Sequence, residues 1–411
     1  MSDKSSFVLE LALKVSIENE IILEKRFEAA RHLYNGCLGE SLKRLGLVKQ
    51  SKLWTKAKST IKTLKNKTLA RSLYREAKKK FSFSEYDLHK YAKNISKKCF
   101  IKDHLDAFSI QKIASLSFNA TLNYSYAKRG KPRFKGKNRQ KSIEGKSNSA
   151  GIRYRDGFLY WNIKTGANLK LEALYDTKDK NGVMAYGLSC KTKYVRIVQR
   201  MIRGKKRWYM QLIKEGTPLQ KTKNVITDGV VGLDLGPSSL AISCEKEAFL
   251  SSFCPNIKNK SQEIKQLKKK LARSRRKTNP QNYEDNGLIK SGKKWSFSNR
   301  YKKLKNQIAE KHRSLKEDRK RSHGEIVNKI LSLGNIIKLE KLSYKNFQKK
   351  YGTSVGKRAP GLFVSILRRK AESSGGQVEE FSPYKTALSQ MCHCKKQKKK
   401  NLSQRWHHCI C

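Results

Sequence analysis

Two acids stand out by their setting. Asp234 lies within the run from Gly229 to Ser243, GVVGLDLGPSSLAIS, a short apolar stretch broken by a Gly-Pro turn. Glu340 belongs to a second such stretch, NIIKLEKL from Asn335 to Leu342. Short apolar runs bounded by turn residues read as buried strands, and a carboxylate there is costly to bury without a partner. A single aspartate beside a glycine turn also fits a loop cap. Two acids at the ends of two such strands fit convergence on one or two divalent cations instead. Mg²⁺ takes hard oxygen ligands, one or two carboxylates and phosphate oxygens among them. Paired metals of this kind stabilise the attacking and leaving oxygens in phosphodiester cleavage.

The charge of the chain agrees with a phosphate-rich partner. Its 411 residues carry 93 Lys and Arg against 33 Asp and Glu, a formal net charge of +60. A neutral metabolite needs no such field. A polyanion does, with nucleic acid first and an anionic membrane surface as the competitor. There is no run of about eighteen apolar residues and no signal peptide, so no membrane partner and a cytoplasmic location are expected. The hydrophobic fraction of 37% is modest, yet a chain of this length can bury a core and divide into roughly two to four domains.

The elements that must position the acids follow from periodicity. Phe7 to Ser16 alternates as a first strand, and Glu18 to Lys49 carries Phe27, Ala30, Tyr34, Leu38, Leu42 and Leu45 at helical spacing. More helices run to about Tyr126, with a break at Phe81 to Tyr86 and the clearest periodicity from Asp103 to Asn123. From Ala150 to Lys214 the aromatic and β-branched content predicts strands, with Tyr194–Ile202 and Arg207–Ile213 flanking Arg203-Gly-Lys-Lys206 as a hairpin. The Phe7 strand is expected to join this small barrel, which makes the helices an insertion. Between the two acids, helices are expected over Asn259–Arg276 and Asn299–Leu333, forming an arm. Leu362–Ser373 and the Gly375–Phe381 stretch add a helix and a strand. The order implies a mixed α/β layer within a multidomain α+β chain.

Two further segments carry chemistry. Ala127 to Arg139 interleaves Lys and Arg with Gly, Pro and one aromatic. Arg129, Lys131, Arg133 and Lys135 are candidates for phosphates and Phe134 for a stacked base, against the alternative of a disordered basic linker. Arg273, Arg275 and Arg276 form a second candidate cluster, where a solvated helix face is the alternative. At the end of the chain Cys392-His-Cys394 and Cys409-Ile-Cys411 place four thiols in two pairs around a basic loop, which suits tetrahedral Zn²⁺. His393, His407 or His408 could replace a thiol.

These motifs in this order resemble the TnpB family of transposon-encoded RNA-guided nucleases, also known as OrfB transposases, to which compact type V CRISPR nucleases are similar. The likeness spans nearly the whole chain and is most specific at Gly232–Gly236 (GLDLG), Leu339–Leu342 (LEKL) and Arg358–Gly361 (RAPG). It implies a wedge-like β-barrel over 1–16 and 127–225, a helical nucleic-acid recognition domain over 17–126, a RuvC-like, RNase H-type nuclease domain over 226–388 and a zinc ribbon over 389–411. It implies Mg²⁺ at Asp234 and Glu340, Zn²⁺ at Cys392, Cys394, Cys409 and Cys411, a guide RNA derived from the transposon, double-stranded target DNA with a short flanking motif, and a prokaryotic, nucleoid-acting protein.

One departure shapes the expectation. In the family a third catalytic aspartate follows the paired cysteines, and this sequence ends at Cys411. A truncated copy, or guided binding with cleavage impaired, is therefore the alternative to an active endonuclease. Should the chain as written cut DNA robustly with Mg²⁺, another acid must fill the third position, and Asp318, or an acid near Glu379, becomes the candidate. A generic basic zinc-ribbon RNA-binding protein is the remaining alternative, and strand-end carboxylates count against it because simple binding does not need them.

Overall fold

The computed structural model describes residues 5–63, 66–255, 257–386, 390–392, 394 and 396–398. The chain divides into two compact units, Met1–Leu219 and Gln220–Cys411.

In the first unit β1 (Ser6–Lys14) precedes helices α1 (Ile17–Gln50), α2 (Lys52–Thr63), α3 (Lys67–Lys80), α4 (Glu85–Lys98) and α5 (Ala107–Ser125). Strands β2 (Ser142–Glu144), β3 (Ile152–Arg155), β4 (Phe158–Trp161) and β5 (Leu169–Leu174) follow, then α6 (Val183–Ser189), β6 (Thr192–Ile202) and β7 (Lys205–Glu215). Side-chain oxygens at the helix starts satisfy otherwise unpaired amides: Ser16 accepts from Asn19 N–H and Ser84 from Asp87 N–H. The strands form one sheet in the order β2-β6-β7-β1-β5-β4-β3. β1 therefore has a neighbour on each side, and Leu9, Leu11 and Leu13 point inward.

The sheet curls until β3 lies beside β6, and Asn148 ties the two. Its N–H donates to the Lys193 carbonyl (3.0 Å), while its side chain accepts from Tyr154 N–H (2.8 Å) and donates to the Tyr154 carbonyl (3.1 Å). The β6–β7 turn is tighter than the expected four residues. Arg203 and Gly204 alone make it, both at positive φ (49° and 76°), the pair of conformations that matches strand twist in a two-residue hairpin.

Helices and sheet of this unit share one core. At its centre Arg26 of α1 is 1% exposed and donates to the carbonyls of Trp161 (2.7 Å) and Ala167, with its guanidinium 4.5 Å above the Trp161 ring. Asp106, the N-cap of α5, accepts from Trp161 Nε1 (2.8 Å). A buried charge is tolerable only when so paired. Burial still pushes the Arg26 guanidinium down to about 10, opposed by Asp106.

The second unit begins with β8 (Val230–Leu235), β9 (Ser239–Ser243) and β10 (Ala248–Ser252), followed by α7 (Ile257–Thr278) and α8 (Asn299–Leu331). Then come β11 (Ile336–Glu340), α9 (Tyr344–Arg358), α10 (Pro360–Ser373), β12 (Gln377–Phe381) and α11 (Pro383–Thr386). The sheet order is β10-β9-β8-β11-β12. Its first three strands form an antiparallel meander, and β11 and β12 run parallel to β8. Strand period two sorts the side chains. Val231, Leu233, Leu235, Leu240, Ile242, Ile337 and Leu339 face Val327, Ile330 and Leu331 of α8 and Phe363, Val364 and Leu367 of α10. Each such aliphatic contributes about 1.5–3 kcal/mol of burial free energy. Asp234, Ala241 and Lys338 lie on the opposite face of the sheet.

The expected arm is present, with α7 packed on α8. The stretch between them is folded rather than loose. Asn279 is fully buried, donating to the Ser296 carbonyl (2.8 Å) and accepting from Ser296 N–H (2.8 Å). Among the described residues no helix is long and apolar enough to cross a membrane.

Candidate active site

The acid pair is made by parallel register. Leu339 of β11 lies opposite Leu233 of β8, so the next residue on each strand, Glu340 and Asp234, falls side by side on the face opposite the helices α8 and α10. Asp234 is exposed and Glu340 half-buried. Burial, and then the neighbouring Asp234 charge, raise the Glu340 carboxyl above its ordinary value. Both line an open cavity of about 1160 Å³ with Lys338, Glu379 and Phe381. Two adjacent carboxylates, one desolvated and repelled by the other, fit a hard divalent cation, which relieves both costs at once.

Of the two substitute acids, Glu379 shares this cavity and Asp318 does not. Glu379 is level with Lys338, one pair of residues behind Glu340, and accepts from Gln377 Nε2 (3.0 Å). Asp318 is ion-paired with Lys260 between α8 and α7 and lines a separate cavity. Among the described residues no group of three or more His, Cys, Asp or Glu gathers at metal-ligand spacing.

The run Arg358-Ala-Pro-Gly361 acquires a physical role that sequence reasoning missed. Ala359 takes the left-handed conformation (φ 51°) that ends α9, and Pro360 opens α10. The turn lets Arg358 reach back, its Nε donating to the Phe253 carbonyl (2.6 Å) and its Nη1 to Ser354 Oγ (2.6 Å). Beneath it His323 is fully buried, stacked on Phe253 at 5.3 Å, with Nε2 donating to the Arg358 carbonyl (2.9 Å). Burial pushes its imidazole down to about 4. The only signal in the sequence was a histidine within a basic helix.

The basic segment 127–139 has no regular element but is pinned at its middle. Arg31 Nη1 and Asn35 Nδ2 of α1 donate to the Lys135 carbonyl (3.0 and 2.9 Å), and Lys135 N–H donates to Asn35 Oδ1 (2.8 Å). Arg129, Lys131 and Arg133 are exposed, and Phe134 is 61% exposed. Lys135 differs from its sequence expectation. Its ammonium lies 3.6 Å from the Tyr34 ring centroid, donates to Gln140 Oε1 (2.8 Å), and is pushed down to about 8 by burial. It anchors the loop rather than facing solvent.

The Arg273 cluster divides similarly. Arg273 is exposed. Arg275 donates to Tyr283 Oη (2.9 Å) and covers the Trp295 ring at 4.9 Å, and Arg276 covers Tyr283 at 5.0 Å. Arg275 and Arg276 thus hold the tip of the arm together. At the other end, Cys392 and Cys394 sit on a short hairpin closed by Cys392 N–H to the Lys396 carbonyl (3.0 Å) and Lys398 N–H to the Gln390 carbonyl (2.8 Å). Cys392 is half-buried and Cys394 exposed. Cys409, Cys411, His393, His407 and His408 lie outside the described residues.

No protein-family model and no curated protein matches the chain. Among solved structures it is similar to a Cas12f1–sgRNA–target DNA complex, at 13% identity and a TM-score of 0.45 over 96% of this chain and 92% of that one. It is also similar to a CRISPR-Cas12f ternary complex, at 13% identity and a TM-score of 0.32 over 92% and 74% of the two chains.

Proposed function

We propose that the protein is an RNA-guided DNA endonuclease of the TnpB type, with a RuvC-like, RNase H-type catalytic unit built on the β8–β12 sheet. The observation that carries this reading is the pairing of Asp234 with Glu340 on one face of that sheet, in a chain of net charge +60. Asp234 and Glu340 would hold Mg²⁺, which when bound supplies positive charge to phosphate oxygens. Lys338, on the same face, is placed to steady a neighbouring phosphate. The exposed Arg129, Lys131, Arg133 and Arg273 would hold the backbone of a transposon-derived guide RNA and of double-stranded target DNA. Sequence would then be read by base pairing and a short flanking motif by the protein. Cys392, Cys394, Cys409 and Cys411 would hold one Zn²⁺.

The test is to sequence the RNA that co-purifies with the protein and to offer DNA complementary to it. Mg²⁺-dependent cutting that is lost in Asp234→Ala supports the reading. Absence of bound RNA, or cutting that survives Asp234→Ala, refutes it. Guided binding without cutting has one observation of its own, since among the described residues no group of three or more His, Cys, Asp or Glu is placed to hold a metal ion. Tight, RNA-directed binding with intact DNA would select it.

A further inference from the structure

The two acids are held from opposite sides. The β8–β11 ladder ends at Leu233 and Leu339, one residue before Asp234 and Glu340. Beyond that pair Asp234 is level with Ala241 of β9, and Glu340 with Phe381 of β12. The separation of the carboxylates therefore depends on what fixes the β8–β9 turn. That turn is tight: Gly236 N–H donates to the Ser239 carbonyl (3.0 Å), and a Cβ on Gly236 would stand 2.9 Å from Ser239 Oγ. Its Pro237 carbonyl accepts from Ser354 Oγ (2.5 Å), and its Ser238 carbonyl from Phe253 N–H (2.9 Å). Both contacts lead to Arg358 of α9. Arg358 Nη1 donates to Ser354 Oγ and Nε to the Phe253 carbonyl, both at 2.6 Å. Arg358 is in turn seated by α8. The last carbonyls of a helix have no partner within it, and two α8 side chains supply one at the end of α9. Arg319 Nη1 donates to the Gly356 (3.3 Å) and Lys357 (3.0 Å) carbonyls, and His323 to that of Arg358 (2.9 Å). The rings of Phe253, His323 and Phe363 pack on one another at 5.3–5.6 Å.

We propose that Arg358 is a positioning residue for the acid pair. Its fork ties Ser354 and Phe253, and through them the Pro237 and Ser238 carbonyls, to a base fixed on α8, and so sets the gap between Asp234 and Glu340. The assignment rests on the reading of those two acids as a cation site. Mg²⁺ demands near-ideal geometry, with oxygens at about 2.0–2.1 Å, so a small drift of the turn takes Asp234 out of reach of an ion held by Glu340. Arg358 does not line the cavity that the acids share, so its influence is on geometry and not a direct charge on the ion. Two acceptors at a fixed separation suit the rigid planar guanidinium, whereas a lysine ammonium is a point charge on a flexible stem. The run Arg358-Ala-Pro-Gly361 thereby has a use beyond ending one helix and opening the next.

The experiment uses the full chain and Mn²⁺ binding followed by electron paramagnetic resonance. Arg358→Ala should lower the affinity about tenfold, the size typical of outer hydrogen bonds that orient a ligand. Guanidinium added at millimolar concentration, well below denaturing levels, should restore part of it. Arg358→Lys keeps the charge and the helix end, serves as the second variant if the first fails to fold, and should lose affinity in the same direction. Both contacts act on one turn, so Arg358→Lys combined with Ser354→Ala should lower the affinity by less than the product of the two single losses. Folded Arg358 variants that bind Mn²⁺ like the parent, a loss that guanidinium does not relieve, or losses that simply multiply overturn the proposal. Mn²⁺ binding that is unchanged in Asp234→Ala overturns the cation-site reading as well, which separates the two failures.

Discussion

Ser354 Oγ donates to the carbonyl of Pro237 at 2.5 Å. Pro237 lies in the turn that follows Asp234, and Ser354 is itself held by Arg358 Nη1 at 2.6 Å. The next carbonyl in that turn, Ser238, accepts from Phe253 N–H at 2.9 Å, and the Phe253 carbonyl accepts from Arg358 Nε at 2.6 Å. Two consecutive carbonyls behind Asp234 are thus fixed from α9 and the end of β10.

Ser354→Ala should therefore weaken the cation site without unfolding the sheet. Outer hydrogen bonds that orient a ligand typically contribute about tenfold to a hundredfold in metal affinity. Mn²⁺ titration followed by electron paramagnetic resonance should show a loss of about tenfold, reversed in Ser354→Thr, with unchanged circular dichroism. Parent-like affinity in Ser354→Ala would show that the turn needs no such support.

The Glu340 carboxyl, raised by burial and by Asp234, gives a pH prediction whose sign is fixed. Its contribution to stability is fully present below the unfolded-state value and is lost as pH rises through the folded-state value. A bound cation competes with the same proton, so Mn²⁺ affinity should rise with pH across that titration. Asp234→Asn removes the smaller of the two causes. It should lower the Glu340 titration seen by carbon NMR, stabilise the metal-free protein slightly near neutrality, and abolish cation binding.

His323 behaves in the opposite sense. Its imidazole is pushed from 6.5 down to about 4 by burial, so the unfolded chain binds the extra proton first. The stability it allows is fully present above about 6.5 and is lost as pH falls toward about 4. His323→Phe should flatten the pH dependence of urea unfolding in that window. An unchanged profile would place the acid sensitivity elsewhere.

Arg26→Met tests the core of the first unit. The substitution keeps the volume but leaves the Trp161 and Ala167 carbonyls, now served by Arg26, without a donor. A buried unsatisfied group costs about 1–3 kcal/mol. Urea unfolding followed at Trp161 should shift by about that much per carbonyl, while Mn²⁺ binding at Asp234 stays intact. An unchanged midpoint would mean that other donors reach the two carbonyls.

The sequence alone determined the elements, because apolar period and turn chemistry are local. Helix α1, the β6–β7 hairpin, the α7–α8 arm and the strands carrying Asp234 and Glu340 were all legible in this way. Sequence spacing does not encode strand register, so only the tertiary structure set Glu340 beside Asp234. It also decided which cations are used internally. Lys135, Arg275 and Arg276 resemble their exposed neighbours as letters, yet Tyr34, Tyr283 and Trp295 engage them. Whether a charge faces solvent or a ring depends on which helix or loop folds over it, and that contact joins residues far apart in the chain or hidden within a turn.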